Sequence, residues 1–284
     1  MNDIKTSNAA AFEALPRGAV AVFVGGTSGI GQAMFELFVR STTGKAVTAI
    51  VVGRNQKAAE ESFAALRAES KEENDLPTLK FISCDVTLMK NVRKATKEIL
   101  DSHSKIHILV VSQGYLTLDS RTPTEEGLDR KLAVDYYSRW VFIHELIPAL
   151  EKARSEGEKA TVTSVLGLGK PGKGPIDPDD FGVEKNYGVA RIAVTVSSYQ
   201  NYMLQVSGSF SVILVIISWF LGICTALSGD RLYPCIPWRR PHSHHTKVQL
   251  DAFVGSSTPD PSFDHLYLCF RRDVRRVHVA RIFN

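Results

Sequence analysis

The residues best placed to do chemistry are Val24-Gly25-Gly26-Thr27-Ser28-Gly29-Ile30-Gly31, with glycines spaced Gly25-x-x-x-Gly29-x-Gly31. An apolar run, Ala19 to Phe23, precedes them and a helix-like segment, Gln32 to Val39, follows. Strand, glycine-rich turn and helix in that order form a phosphate cradle. Glycines let the backbone turn sharply and approach a pyrophosphate, and the helix that begins there offers unpaired N–H groups and its positive dipole end. Gly25, Thr27, Ser28, Gly29, Ile30 and Gly31 are therefore candidate cofactor-binding residues. An ordinary tight strand-to-helix turn is the plain alternative.

The ends of the following strand-like runs carry the remaining candidates. After the second run come Gly53-Arg54-Asn55. A carboxylate at this point holds a ribose 2′-hydroxyl, whereas the planar fork of an arginine suits a 2′-phosphate. Arg54, with Asn55 beside it, favours NADP(H) over NAD(H); a solvated surface arginine is the alternative. After the third run, Asp85-Val86 offers a carboxylate that can accept from the adenine amino group. Gly114, in Ser112-Gln113-Gly114 after the fourth run, leaves room for a cofactor, and Ser164 lies in the fifth.

The elements that must position these residues are legible as alternation. Ala46–Val52, Ile106–Val111 and Ala160–Val165 are continuous apolar, β-branched runs, as in strands buried on both faces, and Leu79–Ile82 is a shorter one. Helical spacing covers Gln56–Lys71, Val92–Leu100 and a long segment, Leu128–Leu150, that should end or kink near Pro148. Strands alternating with helices predict an α/β fold, a Rossmann-like doubly wound parallel sheet with helices on both faces and right-handed crossovers. Ligands bind such sheets at the carboxyl ends of the strands.

As a set, these strand ends resemble the short-chain dehydrogenase/reductase family, over roughly residues 18–205. Gly25-x-x-x-Gly29-Ile30-Gly31 is similar to its cofactor turn, Asp85-Val86 to its adenine contact, and Ser112-Gln113-Gly114 stands where the family has Asn-Asn-Ala-Gly. The resemblance puts Ser164 at the catalytic serine and Tyr187 at the catalytic tyrosine. The stretch Gly174-Pro175-Ile176-Asp177-x-Asp179-Asp180 is similar to fungal members with a longer loop, which suggests a place in secondary metabolism. The implied chemistry is hydride transfer between a nicotinamide and a carbonyl or alcohol carbon of a small organic molecule. Tyr187 then delivers or removes the proton once a nearby cation lowers its pKa, and Ser164 polarises the substrate oxygen.

Two positions depart from the family pattern. Tyr187-Gly188-Val189-Ala190-Arg191 has arginine where the family has lysine, and Asp135 stands near the place of a family asparagine. Arg191 is cationic and could still serve Tyr187 and the nicotinamide ribose, but its rigid fork is not interchangeable with a lysine ammonium. The resemblance therefore implies an NADP(H)-dependent short-chain oxidoreductase with Ser164, Tyr187 and Arg191 in the catalytic roles. A dinucleotide-binding protein with impaired catalysis and a binding or regulatory role is the alternative. A methyltransferase using the same turn is a weaker one, because Arg54 replaces an acidic ribose ligand.

The chain then reads as a lead-in over residues 1–17, the dinucleotide domain over 18–205, a hydrophobic segment over 206–228 and a basic tail over 229–284. Phe210–Ser228 is a 19-residue run long enough to cross a membrane, and Val212–Ile217 within it equally suits a buried sixth strand. The net charge of +4 lies wholly in the tail, with nine Lys and Arg against five Asp, leaving 25 against 25 in residues 1–228. The main body's balanced charge therefore suggests no nucleic-acid surface. The four cysteines are scattered, the tail's histidines lack zinc spacing, and the N-terminus lacks a secretory apolar core. These features predict no metal and a cytoplasmic protein, membrane-associated only through Phe210–Ser228. Assembly into an oligomer is compatible with the chain. Family-like sequence stops near Gln205, as an altered reading frame or an unspliced segment would produce.

Overall fold

The computed structural model describes residues 10–70, 76–166, 176–177, 179–207 and 213–217. The chain divides into two units, Met1–Ser228 and Gly229–Asn284, and every described residue belongs to the first. The expectations for residues 1–9 and for the basic tail lie outside the described residues.

Six strands form one parallel sheet: β1 (Val20–Val24), β2 (Thr48–Gly53), β3 (Thr78–Ser83), β4 (Ile108–Val111), β5 (Thr161–Val165) and β6 (Ile213–Ile217), in the order β3-β2-β1-β4-β5-β6. Val22 sits between Ile50 and Leu109, and Ser164 sits between Val111 and Ile216. The apolar runs behave as their composition requires. All of β1 is buried, as are Ala49–Gly53 of β2, Leu109–Val111 of β4 and Val162–Val165 of β5. β3 has β2 as its one partner among the described strands, and its side chains alternate between more and less exposed, as suits a sheet edge.

The helices are α1 (Gly29–Ser41), α2 (Gln56–Glu69), α3 (Met89–Ser102), α4 (Arg130–Leu132), α5 (Ser138–Ser155) and α6 (Val189–Ser207), with a π-helical turn, Ala133–Tyr137, joining α4 to α5. Phe35 and Phe38 of α1 pack on Phe23 of β1, and Phe63 of α2 packs on Phe35, the ring centroids 5.5–5.7 Å apart. Burying each such ring contributes about 1.5–3 kcal/mol, so this cluster fixes the direction in which α1 leaves the glycine turn. α3 packs along α5.

One expectation needs correction and one pair of alternatives is resolved. The long helix does not end at Pro148 but runs on to Ser155. A proline loses one backbone donor, and the burial of Leu146, Ala149, Leu150 and Ala153 holds the helix across that gap. The run Phe210–Ser228 is not a single membrane helix, because Ile213–Ile217 pairs with β5 as the sixth strand. Among the described residues no helix is long and apolar enough to cross a membrane; positions 208–212 and 218–228 lie outside them.

Candidate active site

β1 is flanked by β2 on one side and β4 on the other, so the strand order reverses between β1 and β4. A crevice opens at the carboxyl ends of strands at such a reversal. The glycine turn leaves β1 there, and Ser112-Gln113-Gly114 leaves β4 beside it. Gly25 has φ +81°, and a Cβ on it would lie 2.6 Å from the Gln113 nitrogen. A Cβ on Gly31 would collide with Ser112 Oγ and the Gly25 carbonyl. These two glycines let the turn press flat against the end of β4. Gly29 differs: its φ is +57° and a Cβ there would meet nothing within 4 Å, so the approach to the start of α1 stays clear.

Ser28 caps α1 in an extended conformation without a side-chain cap bond among the described residues. The first-turn N–H groups lack intrahelical partners and remain for an anion. The open space over Gly29 and these donors fit the pyrophosphate of a dinucleotide. Thr27 packs on the end of β2, where a Cβ on Gly53 would lie 3.0 Å from its methyl group. Ile30 turns into the phenylalanine core.

Arg54 is exposed at the end of β2. Asn55 caps α2, its side-chain oxygen accepting from the Ala58 N–H at 3.1 Å. Asp85 Oδ1 accepts from the Thr87 N–H at 3.0 Å and the Thr87 hydroxyl at 2.9 Å, and Val86 is buried next to it. At Gly114 a Cβ would come within 3.6 Å of Asp135 Oδ1, an ordinary contact.

The π-helical turn carries the half-buried Asp135, and the first turn of α5 carries the buried Arg139. Asp135 Oδ1 accepts from the Tyr115 N–H at 2.8 Å, and its backbone carbonyl accepts from Gln200 Nε2 at 2.9 Å. Burial pushes the Asp135 carboxyl up to about 6, against the Tyr115 bond and the charge of Arg139, which pull it down. Arg139 is 1 % exposed. Its Nη1 donates to the Val111 carbonyl and to Ser164 Oγ, both at 3.0 Å, and its Nη2 donates to the Gln113 carbonyl. Desolvation lowers the guanidinium to about 10, and the Asp135 charge works the other way. Ser164 is itself buried at the end of β5, 2 % exposed, with its oxygen accepting from Arg139.

Tyr187 lies two residues before α6 begins, after Asn186 with φ +52°. Tyr187 and Arg191 therefore do not share a helical face. Arg191 turns back instead: its Nη2 pairs with Asp180 at 3.2 Å, and its Nη1 donates to the Asn186 carbonyl at 3.3 Å and to the Lys185 carbonyl. It also lines a cavity of about 520 Å³ with Asp177, Val194, Thr195 and Tyr199. The cation at Tyr187 is Lys131, whose Nζ donates to the phenol oxygen at 3.1 Å. Burial raises the Tyr187 pKa overall, with Lys131 pulling it down and Asp129 pushing it up.

Ser164 and Tyr187 thus have separate partners, Arg139 and Lys131, which sequence reasoning did not single out. Arg139 left a faint signal, a lone cation in the apolar stretch Val134–Ile143. Lys131 left none, being 56 residues from the tyrosine it meets.

A family model described as short chain dehydrogenase matches residues 19–175. This chain belongs to that family. It is 36% identical over 169 residues to an oxidoreductase of Emericella nidulans, a match covering 60% of this chain and 47% of that one. It is 30% identical over 210 residues to the NmrA-like family domain-containing oxidoreductase notO of an Aspergillus species, covering 73% of this chain and 61% of that one. The chain thus spans about half to three-fifths of the length of these relatives. Among solved structures, a metagenomic short-chain oxidoreductase in complex with NADP matches with a TM-score of 0.54 at 16% identity, covering 71% of this chain and 82% of that one. An NADH-dependent reductase complexed with NAD matches at 0.53 and 17%, covering 71% and 78%. These likenesses agree with the parallel sheet and the Rossmann-like fold.

Proposed function

We propose that this member of the short-chain dehydrogenase family is an NADP(H)-dependent oxidoreductase that interconverts a carbonyl and an alcohol on a small organic molecule, in the cytoplasm and in secondary metabolism. The observation that carries the reading is the glycine turn, pressed onto the end of β4 by Gly25 and Gly31 and left open at Gly29. Gly25, Thr27, Ser28, Gly29, Ile30 and Gly31 hold the pyrophosphate at the α1 N-terminus. Asp85 and Val86 border the adenine, Gly114 keeps space beside Asp135, and Arg54 with Asn55 faces the 2′-phosphate. When bound, the nicotinamide supplies or takes up the hydride. Tyr187 exchanges the proton with the substrate oxygen. The Ser164 oxygen already accepts from Arg139, so its own O–H is left to donate to that oxygen.

A specific set of observations favours a second reading, a dinucleotide-binding protein with impaired catalysis. Arg191 is engaged with Asp180 rather than Tyr187, and Ser164 is buried. Titration with NADPH followed by a panel of ketones separates the two. Binding with loss of the reduced cofactor supports the oxidoreductase, binding without turnover supports the second reading, and no binding overturns both. An Arg191→Lys variant that gains turnover would assign impairment to that position.

A further inference from the structure

Tyr187 needs a cation if it is to part with its proton near neutrality, and Arg191 is not in position to be that cation. Its guanidinium is held by Asp180 and by the carbonyls of Lys185 and Asn186. The start of α6 at Val189 denies it the one-turn spacing to the tyrosine.

We infer that Lys131 is the positioning cation of Tyr187 in this chain, reaching it from α4 rather than from the helix that follows the tyrosine. The Lys131 ammonium lies 3.1 Å from the phenol oxygen and 5.5 Å from the ring centroid. Lys131 is 4 % exposed, so water screens the interaction weakly. The ammonium is also anchored, donating to the Asp119 carbonyl at 2.7 Å. The segment that carries it is held by Asp129, whose carboxylate accepts from the N–H groups of Lys131, Leu132 and Thr122. The charged groups facing the Tyr187 hydroxyl are Lys131, which favours the phenolate, and Asp129, which opposes it. As the Tyr187 O–H bond breaks and the substrate oxygen takes the proton, the negative charge left on the phenol oxygen faces the Lys131 ammonium. Hydride from a reduced nicotinamide dinucleotide makes the C–H bond. The ammonium keeps its protons throughout.

This inference rests on the reading of Tyr187 as the proton donor, and its test needs no turnover. The phenolate absorbance of Tyr187 is isolated by subtracting the titration of a Tyr187→Phe variant in each background. In Lys131→Met the Tyr187 midpoint is expected to rise so that the phenolate fraction at a given pH falls about tenfold or more, one unit of midpoint being a factor of ten. Lys131→Arg, which keeps the charge, is expected to stay near the wild type. Arg191→Met is expected to leave the midpoint unchanged. An unmoved midpoint in Lys131→Met overturns the inference. So does a raised midpoint in Arg191→Met, a test that stands even if Lys131→Met does not fold. Failure of the proton-donor reading looks different: the midpoint responds to Lys131, but NADPH is bound without turnover of any ketone.

Discussion

Arg139 Nη1 donates to Ser164 Oγ at 3.0 Å, while the same guanidinium ties down the Val111 and Gln113 carbonyls at the end of β4. One buried side chain therefore sets both the hydroxyl at the end of β5 and the backbone that the glycine turn rests on.

Removing it should be costly. Arg139→Met leaves two buried carbonyls without these donors, and each such loss is worth about 1–3 kcal/mol. Urea denaturation of the variant is expected to show a fall of about 2–6 kcal/mol. Arg139→Lys should recover little of it, because a lysine ammonium lacks the planar fork that reaches separate acceptors. A loss below about 1 kcal/mol for Arg139→Met would show that the carbonyls find other donors.

Asp135 gives a pH dependence with a definite sign. Its folded carboxyl titrates at about 6, above the ordinary 3.8, chiefly through burial. A carboxyl raised on folding favours the folded state while it is protonated in both states. That advantage is lost as pH rises from the unfolded value through about 6. Above that the penalty is constant, on the order of 2–3 kcal/mol. Asp135→Asn keeps an acceptor for the Tyr115 N–H and carries no charge. It should flatten stability between about pH 4 and 6 and raise it at pH 8 by an amount up to that penalty, less whatever Arg139 loses with its neighbouring charge. Thermal melts across that pH range decide it, and an unchanged slope would remove Asp135 as the cause.

The glycine turn allows a controlled comparison. At Gly25 an alanine faces both a left-handed φ and backbone atoms of Gln113 within 3 Å. At Gly44, with φ +79°, the strain is similar but a Cβ would meet nothing within 4 Å. Both substitutions carry the backbone cost of about 1–2 kcal/mol. Only Gly25→Ala should also weaken NADPH binding, by tenfold or more, because it pushes the turn away from β4. Calorimetric titration of the two variants checks this, and equal affinities would place the phosphates elsewhere.

Legibility followed the range of the forces. The strands could be read because burial on both faces forces β-branched runs such as Ala46–Val52, and each observed strand lies within about two residues of its run. The glycine turn could be read because its constraint is local, as was the choice of a sixth strand as one alternative for Val212–Ile217. The partners of Tyr187 and Ser164 could not. Lys131 and Arg139 reach them across 56 and 25 residues, and no periodicity links positions brought together by folding. The start of α6 was also hidden: i to i+4 spacing puts Tyr187 over Arg191 only if the helix has begun, and the left-handed Asn186 delays it.

Arg54 bears on which dinucleotide is held. It is exposed at the end of β2, the position from which a side chain meets the 2′ substituent of the adenine ribose. An arginine bound to that phosphate contributes charge-assisted bonds worth about 1.5–3 kcal/mol, or roughly 10–100-fold in affinity. Arg54→Ser should therefore weaken NADPH by that factor and leave NADH nearly unchanged, because the unphosphorylated ribose has no charge for the guanidinium to meet. The ratio of the two affinities, measured on the same preparation at fixed ionic strength, removes any general effect on folding. The bond is exposed, so the NADPH advantage of the unaltered chain should also shrink as salt rises, whereas that of Arg54→Ser should not. A ratio that is the same in both proteins at every salt concentration would show that Arg54 faces solvent and that the preference, if any, is set by another residue.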